Sequence, residues 1–248
     1  MRLIFGLLVA AAPFASALAD PAPAAPPAQC EVPDTLVEDQ IDLDRAIAEI
    51  KDKHRLDIVV IGSGSSALSG PEGARAAYPA RLENALKQRL PGTDVKVTAH
   101  TQPKETTAAM TAALGTILAS DKPSLVIWQA GTVDAVNGVD PEDFRTSLDR
   151  GVEAIQAAGA DVILMNMQYS PRTEAMLDVS SFADIMRIVA EQRGALLFDR
   201  LAIMRYWNDE GVFDLYTTTK NYDMARHVHD CIGWALASQI INAAHLTP

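Results

Sequence analysis

The 248-residue sequence predicts a three-layer α/β/α sandwich built on a five-stranded parallel sheet. Three observations predict it. Five short apolar runs alternate with longer helical patterns along the chain. Each run carries Val, Ile or Leu on both parities, which suits a strand covered on both faces. A chain that is 48% hydrophobic and 21% charged is also long enough to bury one sizeable core. Strand–helix alternation of this kind implies parallel strands, right-handed crossovers and helices on both sides of the sheet.

Taken in order, the chain opens with Arg2 and the apolar run Leu3 to Ala12, too short to span about 30 Å of hydrocarbon. Ala17-Leu18-Ala19 follows, a small-x-small pattern that a signal peptidase accepts. Residues 1–19 are therefore expected to be a signal peptide cleaved after Ala19, leaving a periplasmic or secreted protein. Residues 20–33 read as a Pro/Ala-rich linker and residues 34–248 as a single domain. Within it, Leu36 to Lys53 reads as a helical lead-in. Asp57–Ile61, Asp94–Ala99, Ser124–Gln129, Asp161–Asn166 and Ala195–Phe198 are the expected strands. Between them, Tyr78–Leu90, Glu105–Ala119, Pro141–Ala158 and Phe182–Arg193 read as helices. In the third, Asp140 is placed to cap, Pro141 takes the first helical position, and Phe144, Leu148, Val152 and Ile155 form one apolar stripe. A last helix is expected from about Met224 to Ala244.

Composition excludes several function classes. Lys and Arg total 21 against 32 Asp and Glu, a net charge of −11 with no basic run, so a nucleic-acid partner lacks its electrostatic footprint. The two cysteines, Cys30 and Cys231, form no CxxC pair and no zinc-ligand spacing. Met165, Met167, Met176 and Met186 fall at core-like positions, where methionine fills gaps rather than binding metal. No apolar stretch after the leader approaches the length of a membrane span. Export lets two thiols pair, and a Cys30–Cys231 disulfide is expected, with two unpaired buried thiols as the alternative. Closing a loop of roughly 200 residues contributes about 4 to 5 kcal/mol on the chain-entropy model.

In sheets of this type the ligand crevice lies beyond the carboxyl ends of the strands. The first expected strand runs into Ile61-Gly62-Ser63-Gly64-Ser65-Ser66-Ala67. This fits a dinucleotide fingerprint poorly: Gly70, Pro71 and Gly73 interrupt the helix that a pyrophosphate needs, and the second strand ends Thr98-Ala99-His100 without a carboxylate. The other reading is a loop of hydroxyls, where a serine acts as a nucleophile if a histidine reaches it. His227 and His229 stand at the opposite end of the chain, near the start of the last helix, and the two ends can meet over the sheet.

With these residues in view, the chain from Asp57 to its C-terminus resembles the SGNH/GDSL hydrolases, whose exported members are esterases, lipases and carbohydrate deacetylases. Ile61-Gly62-Ser63-Gly64-Ser65-Ser66 is similar to the strand ending in Gly-Asp-Ser, and Tyr78-Pro79-Ala80-Arg81-Leu82 to the helix start that follows it. Trp128-Gln129-Ala130-Gly131-Thr132-Val133-Asp134 resembles the Gly-x-Asn-Asp block, and His229 with Gly233 the final histidine block. The resemblance implies an SGNH-hydrolase-like, flavodoxin-like sandwich and acyl-enzyme chemistry on esters, with an O-acetylated glycan or a short-chain ester as substrate. No cofactor and no metal are implied, and a monomer is expected.

The blocks also depart from that pattern. In strict register the nucleophile falls on Gly64, so a one-residue adjustment is needed to present Ser65, the preferred nucleophile over Ser63 and Ser66. Val133 replaces the asparagine donor, and Arg226 occupies the place of the acid three residues before His229. Asp223 is then the expected acid, ahead of Asp214 and Asp230, and His229 the expected base, with His227 able to exchange roles. Backbone N–H groups of Ser65 and Lys104, with Thr132 nearby, are the expected oxyanion donors. Trp128 and Arg172 are expected to line the substrate crevice. The alternative from another class is a binding protein of the cell envelope that keeps the sandwich without its chemistry.

Overall fold

The computed structural model describes residues 27–37, 41–70, 72–217 and 222–246. The proposed signal peptide lies outside them. Five strands form one sheet: β1 (Arg55–Gly62), β2 (Asp94–Thr101), β3 (Leu125–Gln129), β4 (Asp161–Met165) and β5 (Leu196–Phe198). All pairings are parallel and the order is β2-β1-β3-β4-β5. The helices are α1 (Asp44–Lys53), α2 (Gly73–Ala76), α3 (Tyr78–Arg89), α4 (Thr107–Asp121), α5 (Thr132–Asn137), α6 (Pro141–Ala157), α7 (Pro171–Met176), α8 (Ser180–Arg193), α9 (Arg200–Asp209) and α10 (Asp223–Ala243).

Strands β3 and β4 lie in the middle of the sheet, and Leu125 to Gln129 and Val162 to Met165 are buried throughout. The apolar character of Leu125 to Trp128 and of Val162 to Met165 follows from helices on both sides. α3 packs against α10 on one face, and α4, α6 and α8 pack in series on the other. The apolar stripe Phe144, Leu148, Val152 and Ile155 is buried as its spacing predicts, and Asp140 Oδ1 accepts from Glu142 N–H at 2.9 Å to cap α6. Gly151 lets α6 lie flat over Trp128, since a Cβ there would fall 2.2 Å from the indole.

Some boundaries differ from expectation for local reasons. The lead-in helix begins at Asp44 rather than Leu36, where the side chain of Asp161 accepts from the N–H groups of Arg45 and Ala46 at 2.9 and 3.0 Å. α4 begins two residues later than expected, because Thr106 Oγ1 caps it by accepting from Ala109 N–H. Helix α9 had no sequence expectation; Asp199 caps it by accepting from Ala202 N–H at 2.9 Å. The expected disulfide is present: Cys30 is bonded to Cys231. It ties the N-terminal arm to α10, and Trp207 Nε1–H donates to Glu31 O at 3.2 Å, tying the same arm to α9.

Candidate active site

Strand β1 lies between β2 and β3, and the chain winds outward in opposite directions from it, so the crevice of a doubly wound sheet falls at the β1/β3 carboxyl ends. Ile61 pairs with Trp128, which brings Gly62 and Gln129 to the same level at that edge. Beyond Gly62 the backbone turns at once through a 3-10 turn, Gly64–Ser66, closed by Ser66 N–H donating to Ser63 O at 3.0 Å. The turn is tight enough that a Cβ on Gly62 would fall 2.3 Å from Ser66 Oγ.

Gln129 organises this turn. Its Oε1 accepts from Ser63 N–H (3.1 Å), Ser63 Oγ (3.1 Å), Ser65 Oγ (3.0 Å) and Ser66 Oγ (3.1 Å). Ser66 Oγ also meets the Tyr78 hydroxyl at 3.0 Å. Ser63 and Ser66 are thereby buried, whereas Ser65 is half-buried and Gly64 exposed. Of the three hydroxyls, Ser65 is the one at a wall of an open crevice without being sealed in.

Beneath Ser65 lies Arg200, at the start of α9 and only 1% exposed. Its Nη1 donates to Ser65 O at 3.3 Å and its Nη2 to Ser65 Oγ at 3.4 Å, while Nε has no partner among the described residues. Burial pulls this guanidinium down from 12.5 to about 10, with the Tyr78 phenol opposing the shift. Tyr78 itself is pushed up to about 12 by burial. Both groups thus keep their ordinary charge at neutral pH, and a cation sits under the serine.

His229 lines the same crevice, which measures about 800 Å³, together with Ser63, Gly64, Ser65, Lys104 and Thr132. The histidine is 7% exposed, and its Nδ1 accepts from the Tyr78 backbone N–H at 2.9 Å. A ring nitrogen that accepts from an N–H carries no proton, so the neutral ring holds its proton on Nε2. Burial, aided by the positive charge of Arg200, lowers His229 from 6.5 to about 3, and the ring is neutral at physiological pH.

The structure therefore brings Ser65, His229, Lys104 and Thr132 to one crevice, but not the other expected residues. Asp223 opens α10, six residues before His229; that is about 9 Å along the axis at the helical rise. Its carboxylate is exposed and meets Arg226 at 3.3 Å, while the nitrogen it was expected to hold is taken by Tyr78. Asp214 accepts from Thr217, and Asp230 pairs with Arg81 at 2.8 Å. Trp128 does not line the crevice: it is fully buried, with Nε1–H directed at Met110 Sδ at 3.2 Å. Arg172 lies exposed at the start of α7 and is not part of the crevice wall. His227 is exposed and does not line the crevice, whereas His229 is buried and does. The Thr132 hydroxyl is buried and unpartnered among the described residues, and Lys104 is held with φ of 65° on the rim. Asp134 is structural here, accepting from Thr107 N–H (3.0 Å) and Thr107 Oγ1 (2.7 Å) to tie α5 to α4.

Gln129, Tyr78 and Arg200 were missed from sequence. A polar residue closing an otherwise apolar strand was the available signal for Gln129. Arg200 carries none, because nothing local distinguishes it from a solvated helix-start arginine.

Comparison with known proteins matches residues 29–246 to the model of the non-GDSL lipase-like family. Esterase TesA from Pseudomonas aeruginosa is 27% identical over 140 residues, covering 56% of this chain and 68% of TesA. The TesA crystal structure superposes with a TM-score of 0.52 at 27% identity, over 57% of this chain and 76% of that one. AlinE4, described as an SGNH-hydrolase family esterase, gives 0.53 at 26% identity over 67% and 85%. A Geobacillus acetyl-xylooligosaccharide esterase variant gives 0.62 at 15% identity over 75% and 94%, a likeness of fold.

Proposed function

This chain belongs to the non-GDSL lipase-like family, and from that premise we propose that its crevice hydrolyses carboxylic esters, with Ser65 as the nucleophile. One observation carries the reading: Ser65 Oγ, at the mouth of the switch-point crevice, rests on a buried cation and shares that crevice with His229. In the proposed reaction Ser65 Oγ attacks the ester carbonyl, its proton passes to His229, the alcohol leaves with that proton, and water releases the acid from the acyl-serine. Arg200 supports negative charge on Ser65 Oγ. Lys104 N–H and Thr132 face the developing oxyanion, in a wall where Val133 supplies no donor.

The proton step has a cost that the geometry makes explicit. With Nδ1 accepting from Tyr78 N–H, the other nitrogen already holds the proton. To act as base, His229 must give up that contact and shift its proton to Nδ1, leaving the Tyr78 N–H without its partner at a cost of about 1 to 3 kcal/mol. Slow turnover follows. A second reading, an ester-binding protein without hydrolysis, is favoured by that same tautomer and by the separation of Asp223 from His229. The Cys30–Cys231 bridge supports export, because disulfides persist in oxidising compartments.

Labelling with a fluorophosphonate, alongside p-nitrophenyl acetate hydrolysis, separates the two. The hydrolase reading expects a stoichiometric adduct on Ser65 and a slow rate that Ser65→Ala and His229→Ala both abolish. No adduct, or an unchanged rate in both variants, rejects it.

A further inference from the structure

A second cavity, of about 390 Å³, lies between the N-terminal arm, the end of α3 and the second half of α10. None of its lining residues belongs to the crevice wall. Ser238 and Asn242, which line it, stand nine and thirteen residues beyond His229 on α10, about 14 and 20 Å along the axis at the helical rise. The arm supplies two exposed carboxylates, Glu31 and Asp34, and the helices supply the guanidinium of Arg89. Arg89 is half-buried, lies over the Trp234 ring at 5.9 Å and donates from Nη1 to Ser238 Oγ at 2.8 Å. It forms no ion pair among the described residues, although two carboxylates line the same cavity. Burial lowers this guanidinium from its ordinary value, with no carboxylate opposing the shift. Acceptors and donors are thus held apart across a space at the small end of the range for ligand pockets, about 300 to 1,000 Å³.

We propose that this cavity is a second binding site, separate from the ester crevice, for a neutral mono- or disaccharide unit. The charge of the lining disfavours the simpler ligands. With two carboxylates against one guanidinium, in a chain of net charge −11, a small anion meets repulsion. A small cation meets Arg89, which has no counter-ion to mask it. A sugar hydroxyl donates and accepts at once, as a serine hydroxyl does. Neighbouring hydroxyls therefore donate to Glu31 or Asp34 while accepting from Arg89 or Asn242, and bonds with one charged partner are stronger than neutral ones. Trp234 is partly exposed, and its indole together with Val32 offers apolar surface to the C–H groups of the ring. The Cys30–Cys231 bridge anchors the arm that carries both carboxylates, so the acceptors are positioned before the ligand arrives.

The test uses the folded, disulfide-bonded protein and its own fluorescence. Of the three tryptophans, Trp128 and Trp207 are fully buried, so Trp234 reports on a ligand in this cavity. Cellobiose, xylobiose, maltose and chitobiose are titrated at pH 7, with acetate and methylammonium as charged controls. At least one disaccharide is expected to give a saturable change, with an affinity at least about tenfold above either control and unaltered when the salt is raised tenfold. By calorimetry, Arg89→Gln is expected to weaken that binding about tenfold and the exposed substitution Asp34→Asn about threefold, while Ser65→Ala leaves it unchanged. Circular dichroism checks folding; if Arg89→Gln does not fold, Asp34→Asn and Ser65→Ala decide. Binding of none of the disaccharides, tighter binding of a control, or full affinity in Asp34→Asn overturns the proposal. So does loss of binding in Ser65→Ala, which would put the sugar in the crevice. Absence of a fluorophosphonate adduct with disaccharide binding intact would instead reject hydrolysis and leave this site standing.

Discussion

The amide oxygen of Gln129 receives four donors from the turn after β1, which accounts for hydroxyls at 63, 65 and 66 without giving them all one chemical role. Ser63 and Ser66 are buried by these bonds, and Ser65 is the half-buried hydroxyl of the crevice wall. His229 shows the same division between type and environment. Its neutrality, set by burial and by Arg200, makes folding sensitive to acid. The folded ring titrates at about 3 and an unfolded histidine at about 6.5. Between those values the unfolded chain binds the extra proton, so stability falls as pH drops from about 6.5 towards 3, by at most about 1.4 kcal/mol per pH unit. Urea denaturation at pH 7, 5.5 and 4 is expected to show this slope in the wild type and a shallower one in His229→Gln; parallel slopes would refute it.

Among elements, α6 shows how a glycine decides packing. Gly151 brings the helix backbone against Trp128, and a side chain there would overlap the indole at 2.2 Å. Gly151→Val is expected to destabilise the protein by about 3 kcal/mol, by forcing the helix off the sheet. Denaturant midpoints measure this, and a change below about 0.5 kcal/mol would show that α6 shifts freely. The sheet and its helices were readable because their signals are local: apolar runs bounded by turns, and Asp140-Pro141 opening a striped helix. Helix α9 escaped because its burial comes from Trp207, Ile203 and Met204 meeting the arm and the core, contacts that no periodicity in a ten-residue stretch announces.

At the scale of the whole molecule, the N-terminal arm links the two helices that carry Arg200 and His229. Cys30 is bonded to Cys231, two residues beyond His229, and Glu31 O accepts from Trp207 on α9. The bridge closes a loop with a sequence separation of 201, so its reduction releases chain entropy in the unfolded state of about 5 kcal/mol. Cys30→Ser/Cys231→Ser is expected to lower the melting temperature by about 10 to 20 °C at this size. An unchanged melting temperature would mean that the arm is a passenger.

Taken by itself, the sequence determined the sandwich, the order of its five strands along the chain and the meeting of the β1 loop with the start of α10, because those follow from local patterning and from where a doubly wound sheet opens; of its two readings of Cys30 and Cys231, the structure selects the bridge. It also carried the likeness to SGNH/GDSL hydrolases, which the family match bears out. Only the tertiary structure decided which nitrogen of His229 is bare, what meets that nitrogen in place of an acid, and that an arginine with no carboxylate partner among the described residues lies beneath Ser65. Charge state and tautomer are set by partners 64 to 151 residues away in the chain, and spacing holds no record of them.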